Sequence, residues 1–236
     1  MTTVKLTEQN LLVDIGSTLI KINEAFEVYT ARAAQYVSEE MGGEQVGANA
    51  KKLHQFRDAF RKEAHRTLIE RNAKDFLKEG IKNIWGVSLD QDRIKELEQV
   101  YIRSEVSITT RFDDAISFLK RAKEAGKRVI IATNNFSELQ IDEVLTRFEI
   151  KPFVDDCFIS GLMLARKPNK KFFDIILSEC DIASNSSVII GDTLTQDIEG
   201  GINGGIRTCW LNRYSKLNDT SFRPTYEVSS LDNLLF

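Results

Sequence analysis

Three aspartates follow apolar runs in this sequence, at places where a carboxylate is well positioned for chemistry. Asp14 ends the run LLVD and is followed by two small residues, Gly16 and Ser17. Asp192 ends the run VIIGD, and Asp197 lies shortly after it, at the expected start of a helix. Because Mg²⁺ prefers oxygen ligands, we expect Asp14 and Asp192 to share a magnesium ion. Asp197 either completes this metal site or favours the positive end of its helix.

Two further segments carry groups that suit the oxygens of a phosphoryl group. Thr133 and Asn134 end the run VIIATN, although an asparagine there can also serve only as a turn former. Lys167 precedes Pro168, which keeps the lysine out of helical geometry. A hydroxyl, neighbouring N–H groups and a lysine can together hold a phosphate dianion. Asp14 is then placed to attack phosphorus in line and form an aspartyl-phosphate.

The elements that must position these groups alternate between two hydrophobic periods. Short apolar runs predict strands at Leu11–Asp14, Val129–Thr133, Cys157–Ser160, Val188–Gly191 and Thr208–Leu211. Helical spacing lies between them, and such alternation predicts a parallel sheet covered by helices on both faces. Residues 21–107 carry helical spacing with little strand signal. We therefore predict an α/β core formed by residues 1–20 and 108–236, with a helical module inserted at 21–107 over the strand ends, where ligands bind.

Composition excludes several classes of protein. The 236 residues carry a net charge of −3 from 32 basic and 35 acidic residues without a long block of either sign, which argues against nucleic-acid and membrane partners. The N-terminal segment is polar, which does not fit a signal peptide. Three widely spaced cysteines (Cys157, Cys180 and Cys209) favour a reducing, cytoplasmic location. Only His54 and His65 are present, which disfavours zinc. The sequence predicts no oligomeric state.

The segments DIGSTL, TNN, RKP and GDTLTQD, in this order, resemble the four motifs of the haloacid dehalogenase superfamily. The C-terminal third, including IGDTLTQDIEGGINGGIRTCWLN, is similar to the house-cleaning pyrimidine 5′-nucleotidases. This resemblance implies a Rossmann-like core with a helical cap. It also implies a Mg²⁺-dependent phosphatase that acts on a small phosphorylated metabolite such as a nucleoside monophosphate. In that family Asp14 is the nucleophile and Lys167 a catalytic partner.

One position departs from the pattern of the family's phosphatases. They carry a second aspartate two residues after the nucleophile, where this sequence has Gly16. That aspartate serves as general acid and base, while its backbone carbonyl binds the metal, a contact that Gly16 can still make. Loss of one such group costs about 10²–10⁴-fold in rate. We therefore expect weak activity on poor leaving groups and a smaller loss with phenolic or acyl phosphates.

Two other functions stay open at this level. The first is a non-catalytic descendant that binds a phosphometabolite or a protein partner, for which Gly16 is the main support. The second is cleavage of a carbon–halogen or phosphorus–carbon bond. Asp192 and Asp197 argue against the metal-free dehalogenases. Lys51 and Lys52 are candidates, by rough position only, for the Schiff-base lysine of the phosphorus–carbon enzymes.

The cap segment offers few chemical groups of its own. Both histidines are expected at its surface. Phe56, Phe60 and Trp85 are expected in its core, with a smaller chance of lining the substrate pocket. Phe136, beside the second motif, is expected either in a core or in the pocket wall.

Overall fold

The protein is built around a six-stranded parallel β-sheet, which a computed structural model describes together with the rest of residues 3–236. The strands are β1 (Val4–Lys5), β2 (Asn10–Val13), β3 (Ile20–Ile22), β4 (Thr109–Arg111), β5 (Arg128–Thr133), β6 (Asp156–Ile159), β7 (Ser187–Gly191), β8 (Arg207–Leu211), β9 (Tyr226–Val228) and β10 (Leu234–Leu235). The helices are α1 (Phe26–Met41), α2 (Val46–Thr67), α3 (Ala73–Trp85), α4 (Gln91–Ser107), α5 (Asp114–Glu124), α6 (Glu138–Arg147), α7 (Ser160–Met163), α8 (Lys170–Glu179) and α9 (Glu199–Asn203). A π-helical turn at Leu194–Ile198 precedes α9.

The order of the main sheet is β6-β5-β2-β7-β8-β9, which confirms the predicted parallel α/β core. Strand β2 lies at the centre, with Val13 beside Ile131 of β5 and Ile190 of β7. This register continues one residue further, because the Asp14 N–H donates to the Ile190 carbonyl at 3.0 Å. The central strands therefore end side by side, and the residues that follow them meet at one edge of the sheet.

Helices cover both faces of this sheet. Leu11 and Val13 point into one layer with α5 and α6, whereas Leu12 points into the other layer with α8. Side chains alternate between the faces of a strand, so an all-apolar run is expected where both faces are covered. The five predicted strands are confirmed to within one residue at each end.

Helices α1 to α4 form a helical module between β3 and β4. These two strands pair antiparallel, with Ile20 opposite Arg111, so the chain enters and leaves the module at neighbouring points. Buried residues of α1 to α4 form a separate hydrophobic cluster, which also contains Phe136 from the sheet domain. The limits 21–107 for a cap domain remain a prediction.

Hydrogen bonds across the boundary hold the helical module on the carboxyl edge of the sheet. The Ser137 hydroxyl donates to Glu98 Oε1 of α4 at 2.6 Å, and the Ser160 hydroxyl donates to Glu70 Oε2 at 2.6 Å. Both contacts are buried, so each is worth more than an exposed hydrogen bond. Between Thr3 and Phe236, none of the helices combines the length and the apolar content that a membrane crossing needs.

Candidate active site

The strand ends and the helical module enclose a cavity of about 360 Å³. Asp14, Thr133 and Asp192 line it from the carboxyl ends of β2, β5 and β7. Asp197 joins them from the π-helical turn after β7. The structure therefore brings together the three predicted carboxylates and the predicted phosphate-binding hydroxyl, at the edge where ligands bind in open parallel sheets.

Lys167 lies directly behind these carboxylates and is 1% exposed. Its Nζ donates to Asp14 Oδ1 at 2.8 Å, to Asp197 Oδ1 at 2.6 Å and to the Ala132 carbonyl at 2.7 Å. Burial alone lowers the pKa of Lys167, but the charges and hydrogen bonds of the two aspartates raise it above its ordinary value. An ammonium group has three donors, and here each of them is used. Lys167 therefore holds Asp14 and Asp197 in the free protein, and its catalytic and phosphate-binding roles remain predictions.

The three carboxylates fit a divalent cation. Asp14, Asp192 and Asp197 each present one oxygen, and the three oxygens lie within 4.8 Å of one another. Gly191 makes this approach possible, because a Cβ there would lie 2.2 Å from Cγ of Asp197. Oxygen donors of this kind are the ligands that Mg²⁺ prefers. The residues present therefore suit a magnesium ion.

Crowding of these acids shifts their protonation. Burial raises the pKa of Asp14 to about 7; the Lys167 charge opposes this, and the charges of Asp197 and Asp192 add to it. Burial and the Asp197 charge also raise the pKa of Asp192 to about 6. A bound cation reverses such shifts by favouring ionised ligands.

The side chain of Asn134 is engaged in holding Lys167. Its Oδ1 accepts from the Lys167 backbone N–H at 2.9 Å, and its Nδ2 donates to the Lys167 carbonyl at 3.0 Å and to Gln196 Oε1 at 2.8 Å. Asn134 was predicted as a phosphate-binding residue, and the side-chain amide is already used in this arrangement. Its backbone N–H and the neighbouring Thr133 hydroxyl are the groups left for a phosphoryl oxygen.

Gly16 lines the cavity two residues after Asp14, at the position where the resemblance to the family's phosphatases predicts a second aspartate. A Cβ added at Gly16 would meet no atom of residues 3–236 within 4 Å. The backbone there also lies outside the left-handed region, so an aspartate fits without strain. The absence of the acid is therefore a property of this side chain alone, since the surrounding structure accommodates one.

The opposite wall of the cavity was not predicted from the sequence. Arg57 and Arg61 of α2, with Arg166 beside the sheet, line it together with the exposed His65. Glu70 neutralises part of this charge, because its Oε1 lies 3.5 Å from Arg166 Nη1. The i, i+4 spacing of two arginines after Phe56 and Phe60 is a signal that could have indicated this wall.

The structure also places the aromatic residues that were predicted in the cap core or the pocket wall. Phe56, Phe60 and Trp85 are half-buried and pack against the cluster of the helical module, as predicted. Phe136 is 5% exposed and both joins that cluster and lines the cavity.

The structure does not place either candidate Schiff-base lysine at the cavity. Lys51 and Lys52 are exposed and lie outside the set of residues that line the cavity. His54 is half-buried beside Thr30, with Nδ1 3.3 Å from the threonine hydroxyl, so the surface placement predicted for it is only partly correct.

Comparison with known proteins identifies the family of this chain. Residues 9–205 match the family of haloacid dehalogenase-like hydrolases. The chain is 36% identical over 159 residues to pyrimidine 5′-nucleotidase YjjG of Escherichia coli, which covers 67% of this chain and 69% of that protein. The chain therefore belongs to the haloacid dehalogenase-like hydrolases.

Solved structures support the same fold. The HAD-hydrolase YfnB of Bacillus subtilis, bound to magnesium, superposes with a TM-score of 0.62 at 24% identity over 95% of this chain and 96% of that one. A 2-haloacid dehalogenase of Pseudomonas syringae superposes with a TM-score of 0.70 at 18% identity over 96% of each chain. At these identities the likeness shows the fold alone.

Proposed function

We propose that this protein is a Mg²⁺-dependent phosphatase that hydrolyses small phosphorylated metabolites through an aspartyl-phosphate on Asp14. The observation that supports this most strongly is the buried contact of Lys167 Nζ with Asp14 Oδ1 at 2.8 Å and with Asp197 Oδ1 at 2.6 Å. A fixed cation next to a nucleophilic carboxylate, beside a set of metal-ligating oxygens, suits the attack on a phosphate dianion.

In this mechanism Asp14 attacks phosphorus in line with the leaving oxygen. Oδ1 accepts from Lys167 Nζ at 2.8 Å, whereas Oδ2 accepts only a longer bond of 3.5 Å from the Thr18 hydroxyl, so we assign the attack to Oδ2. The bond from Oδ2 to phosphorus forms as the ester bond breaks, while the Thr133 hydroxyl and nearby backbone N–H groups hold the phosphoryl oxygens. Water then attacks phosphorus and passes its proton to solvent or to a phosphoryl oxygen. The bond from Oδ2 to phosphorus breaks, inorganic phosphate leaves, and the Asp14 carboxylate is restored.

The proposed magnesium ligands are Asp14, Asp192 and Asp197, with the backbone carbonyl of Gly16. When bound, the ion neutralises charge on the phosphoryl oxygens. Lys167 holds Asp14 and Asp197 in place by hydrogen bonds on the side away from the cavity. The nucleophile is thereby oriented before substrate binds.

The leaving oxygen has no aspartate at position 16 to protonate it. An alkoxide must then take its proton from solvent or from the substrate itself, which slows the first step by about 10²–10⁴-fold relative to an enzyme with that acid. The aryloxide of an aryl phosphate and the carboxylate of an acyl phosphate can leave without a proton. The rate with these substrates is therefore less affected. We therefore propose a weak or substrate-restricted phosphatase.

Nucleoside monophosphates are the first substrates to test. The support for this choice is the similarity to pyrimidine 5′-nucleotidase YjjG. A cytoplasmic location is part of the same proposal, and it is supported by the three cysteines, which are all unpaired in the described chain.

The decisive experiment compares wild type with Asp14→Asn, Gly16→Asp and Gly16→Asn. Each protein, with Mg²⁺, is offered nucleoside monophosphates and an aryl phosphate, and both released phosphate and covalent phosphoenzyme are quantified. We expect Gly16→Asp to raise nucleotide turnover by about 10²–10⁴-fold, with a smaller gain on the aryl ester. Gly16→Asn matches the aspartate in size without carrying a proton, so it controls for packing.

Asp14→Asn should form no phosphoenzyme with any substrate. If wild type and Gly16→Asp both bind no Mg²⁺ and form no adduct with the aryl phosphate, the proposal is wrong. The alternative, a protein that binds a phosphometabolite without turning it over, would then show thermal stabilisation by the ligand and no change in turnover in any variant.

A further inference from the structure

Arg57 is a buried cation that forms no ion pair with any residue between Thr3 and Phe236. Its side chain comes from α2 and is 7% exposed. Nε and Nη1 are both buried and make no hydrogen bond to any residue between Thr3 and Phe236. Burying a guanidinium without a partner costs several kcal/mol in effective desolvation, and native structures rarely leave such a group unsatisfied. An unsatisfied buried donor that lines a cavity indicates a ligand that supplies the missing acceptor.

Aromatic rings hold the Arg57 guanidinium by its face. Its Cζ lies 4.0 Å from the ring centroid of Phe136 and 5.8 Å from that of Phe76. The next arginine along α2 is held in the same way, with Arg61 Cζ 4.2 Å from the ring centroid of Phe26. Stacking uses the face of a guanidinium and leaves its in-plane N–H groups available, and this planar fork matches a carboxylate or a phosphate.

The cations of this wall repel one another. Burial lowers the pKa of the Arg166 guanidinium, Glu70 opposes this, and the charges of Arg57 and Arg61 lower it further. The same three arginines act with partial burial to lower the pKa of His65. Positive charge is therefore concentrated on this side of the cavity beyond what Glu70 neutralises.

Glu105 is the other acid on this side. Burial raises its pKa, while the charge of Arg57 acts in the opposite direction. Neither Nε nor Nη1 of Arg57 has a hydrogen-bond partner among residues 3–236, and the same holds for the buried hydroxyl of Tyr101. The acceptor that Arg57 and Tyr101 lack is therefore not supplied by Glu105.

We propose that Arg57, with Arg61, binds a second anionic group, a carboxylate or a phosphate, on the leaving group of the substrate. The inference rests on the proposed function, because the same cavity holds Asp14 and the site for the transferred phosphoryl group. The substrate class is thereby narrowed to phosphomonoesters that carry an additional acid. Neutral leaving groups leave Arg57 unpaired and bind less well.

Substrate pairs that differ by one carboxylate test this proposal. Orotidine 5′-monophosphate is compared with uridine 5′-monophosphate, and 3-phosphoglycerate with glycerol 3-phosphate. A charge-assisted bidentate contact predicts a preference of roughly tenfold to a hundredfold for the acidic member of each pair. Phosphate monoesters with a second phosphate, such as a nucleoside 3′,5′-bisphosphate, test whether the second group is a phosphate rather than a carboxylate.

The variants are Arg57→Gln, which removes the charge, and Arg57→Lys, which keeps the charge but loses the planar fork. Arg66→Gln is the matched control, because Arg66 lies on the same helix, is exposed and pairs with Glu63 Oε1 at 2.6 Å outside the cavity. We measure kcat/KM for each substrate. We also measure affinity by calorimetry in an Asp14→Asn background with Mg²⁺, where no turnover is needed.

The expected result is a preference for the acidic member that Arg57→Gln abolishes, Arg57→Lys reduces and Arg66→Gln retains. Equal affinity for both members in wild type, or a preference that survives Arg57→Gln, overturns the proposal. Hydrolysis without such a preference leaves the proposed phosphatase standing and removes the anion site. A binding preference that depends on Arg57, without hydrolysis of any substrate, leaves the anion site standing and overturns the proposed phosphatase.

Discussion

Lys167 on the strand-end wall of the cavity and Arg57 on the cap wall are both buried cations, but they differ in their hydrogen-bond partners. Lys167, behind the strand ends, donates three hydrogen bonds, two of them to carboxylates. Arg57, on the cap side, has two guanidinium nitrogens without a hydrogen bond to the described chain. Both side chains are more than nine-tenths buried. Burial alone therefore does not distinguish the walls, and the presence of partners does.

The difference indicates what each wall is ready to do before a ligand arrives. On the strand-end wall, Lys167 Nζ holds Asp14 by a hydrogen bond at 2.8 Å, so Asp14 is oriented in the free protein. On the cap wall, Glu70 pairs with Arg166, but Arg57 Nε and Nη1 find no acceptor among residues 3–236. This costs stability, and on our proposal the cost is recovered when an anion binds. One wall is thus prepared for the reaction, and the other for recognition.

Removing the buried cation of the strand-end wall, called the paired wall below because Lys167 pairs with two carboxylates there, should give the largest loss of stability. Lys167→Met leaves Asp14 and Asp197 without their shared cation, and removing one partner of a buried pair costs about 3–5 kcal/mol. We expect the free energy of unfolding in urea to fall by about that amount, together with loss of phosphoenzyme formation. Lys127→Met is the control, because Lys127 is also buried but its Nζ donates to backbone carbonyls, with Glu8 O at 2.9 Å.

A loss of stability in Lys127→Met as large as in Lys167→Met would contradict this interpretation. It would show that burying any lysine in this fold matters more than pairing it with the carboxylates. The comparison of the walls would then lose its physical basis.

The paired wall could be predicted from the sequence because each part of it has a local signal. An apolar run such as LLVD is typical of a strand covered on both faces, and the polar residue that ends it must lie at the sheet edge. Asp14 and Asp192 follow from this rule together with the order of the motifs. The close approach of Asp197 depends on Gly191, for which a sequence pattern gives no distance.

The unpaired wall and the entry to the cap could not be predicted in the same way. Arg57 lies in a charged amphipathic helix, where arginine is normally solvated, and its burial depends on Phe136 from a distant segment. The strands Ile20–Ile22 and Thr109–Arg111 are three residues long, too short for a hydrophobic period to emerge. Their pairing is a tertiary contact across the whole helical module.

Mg²⁺ should stabilise the paired wall in a pH-dependent way. The pKa of Asp14 is raised to about 7 and that of Asp192 to about 6, so the folded protein holds these protons more tightly than the unfolded chain. Their contribution to stability is therefore complete below pH ~4 and lost as pH rises through about 6 to 7. Above that range we expect the ionised carboxylates to bind the cation instead of protons.

We therefore expect Mg²⁺ to raise the melting temperature more at pH 8 than at pH 5. At a concentration of about 100 times Kd the gain is about 2.7 kcal/mol. Differential scanning fluorimetry with and without Mg²⁺ measures the shift, and Asp192→Asn should reduce it at pH 8. A larger shift at pH 5 would contradict the assignment of these carboxylates as ligands.

The cap wall should respond to substitution with the opposite sign. Arg57→Met removes an uncompensated buried charge and keeps an apolar contact with Phe136, so we expect the free energy of unfolding to rise by about 1–2 kcal/mol in the absence of ligand. Arg166→Met is the matched control: it removes an arginine that has Glu70 as a partner at 3.5 Å and should lower stability. A destabilised Arg57→Met would mean that the cation–π contact outweighs the desolvation cost.

The smallest expected changes in the free energy of unfolding concern one hydroxyl on each wall. On the paired wall, the Thr193 hydroxyl donates to Asp192 Oδ1 at 3.0 Å, so Thr193→Val should cost about 1 kcal/mol. On the cap wall, the buried Tyr101 hydroxyl makes no hydrogen bond within residues 3–236, so Tyr101→Phe should leave the unfolding free energy unchanged or raise it slightly. Urea unfolding without ligand measures both changes. Equal losses in the two variants would show that the Tyr101 hydroxyl already has a hydrogen-bond partner in the free protein, and it would then no longer count, beside the buried Arg57, as an unsatisfied group of the cap wall.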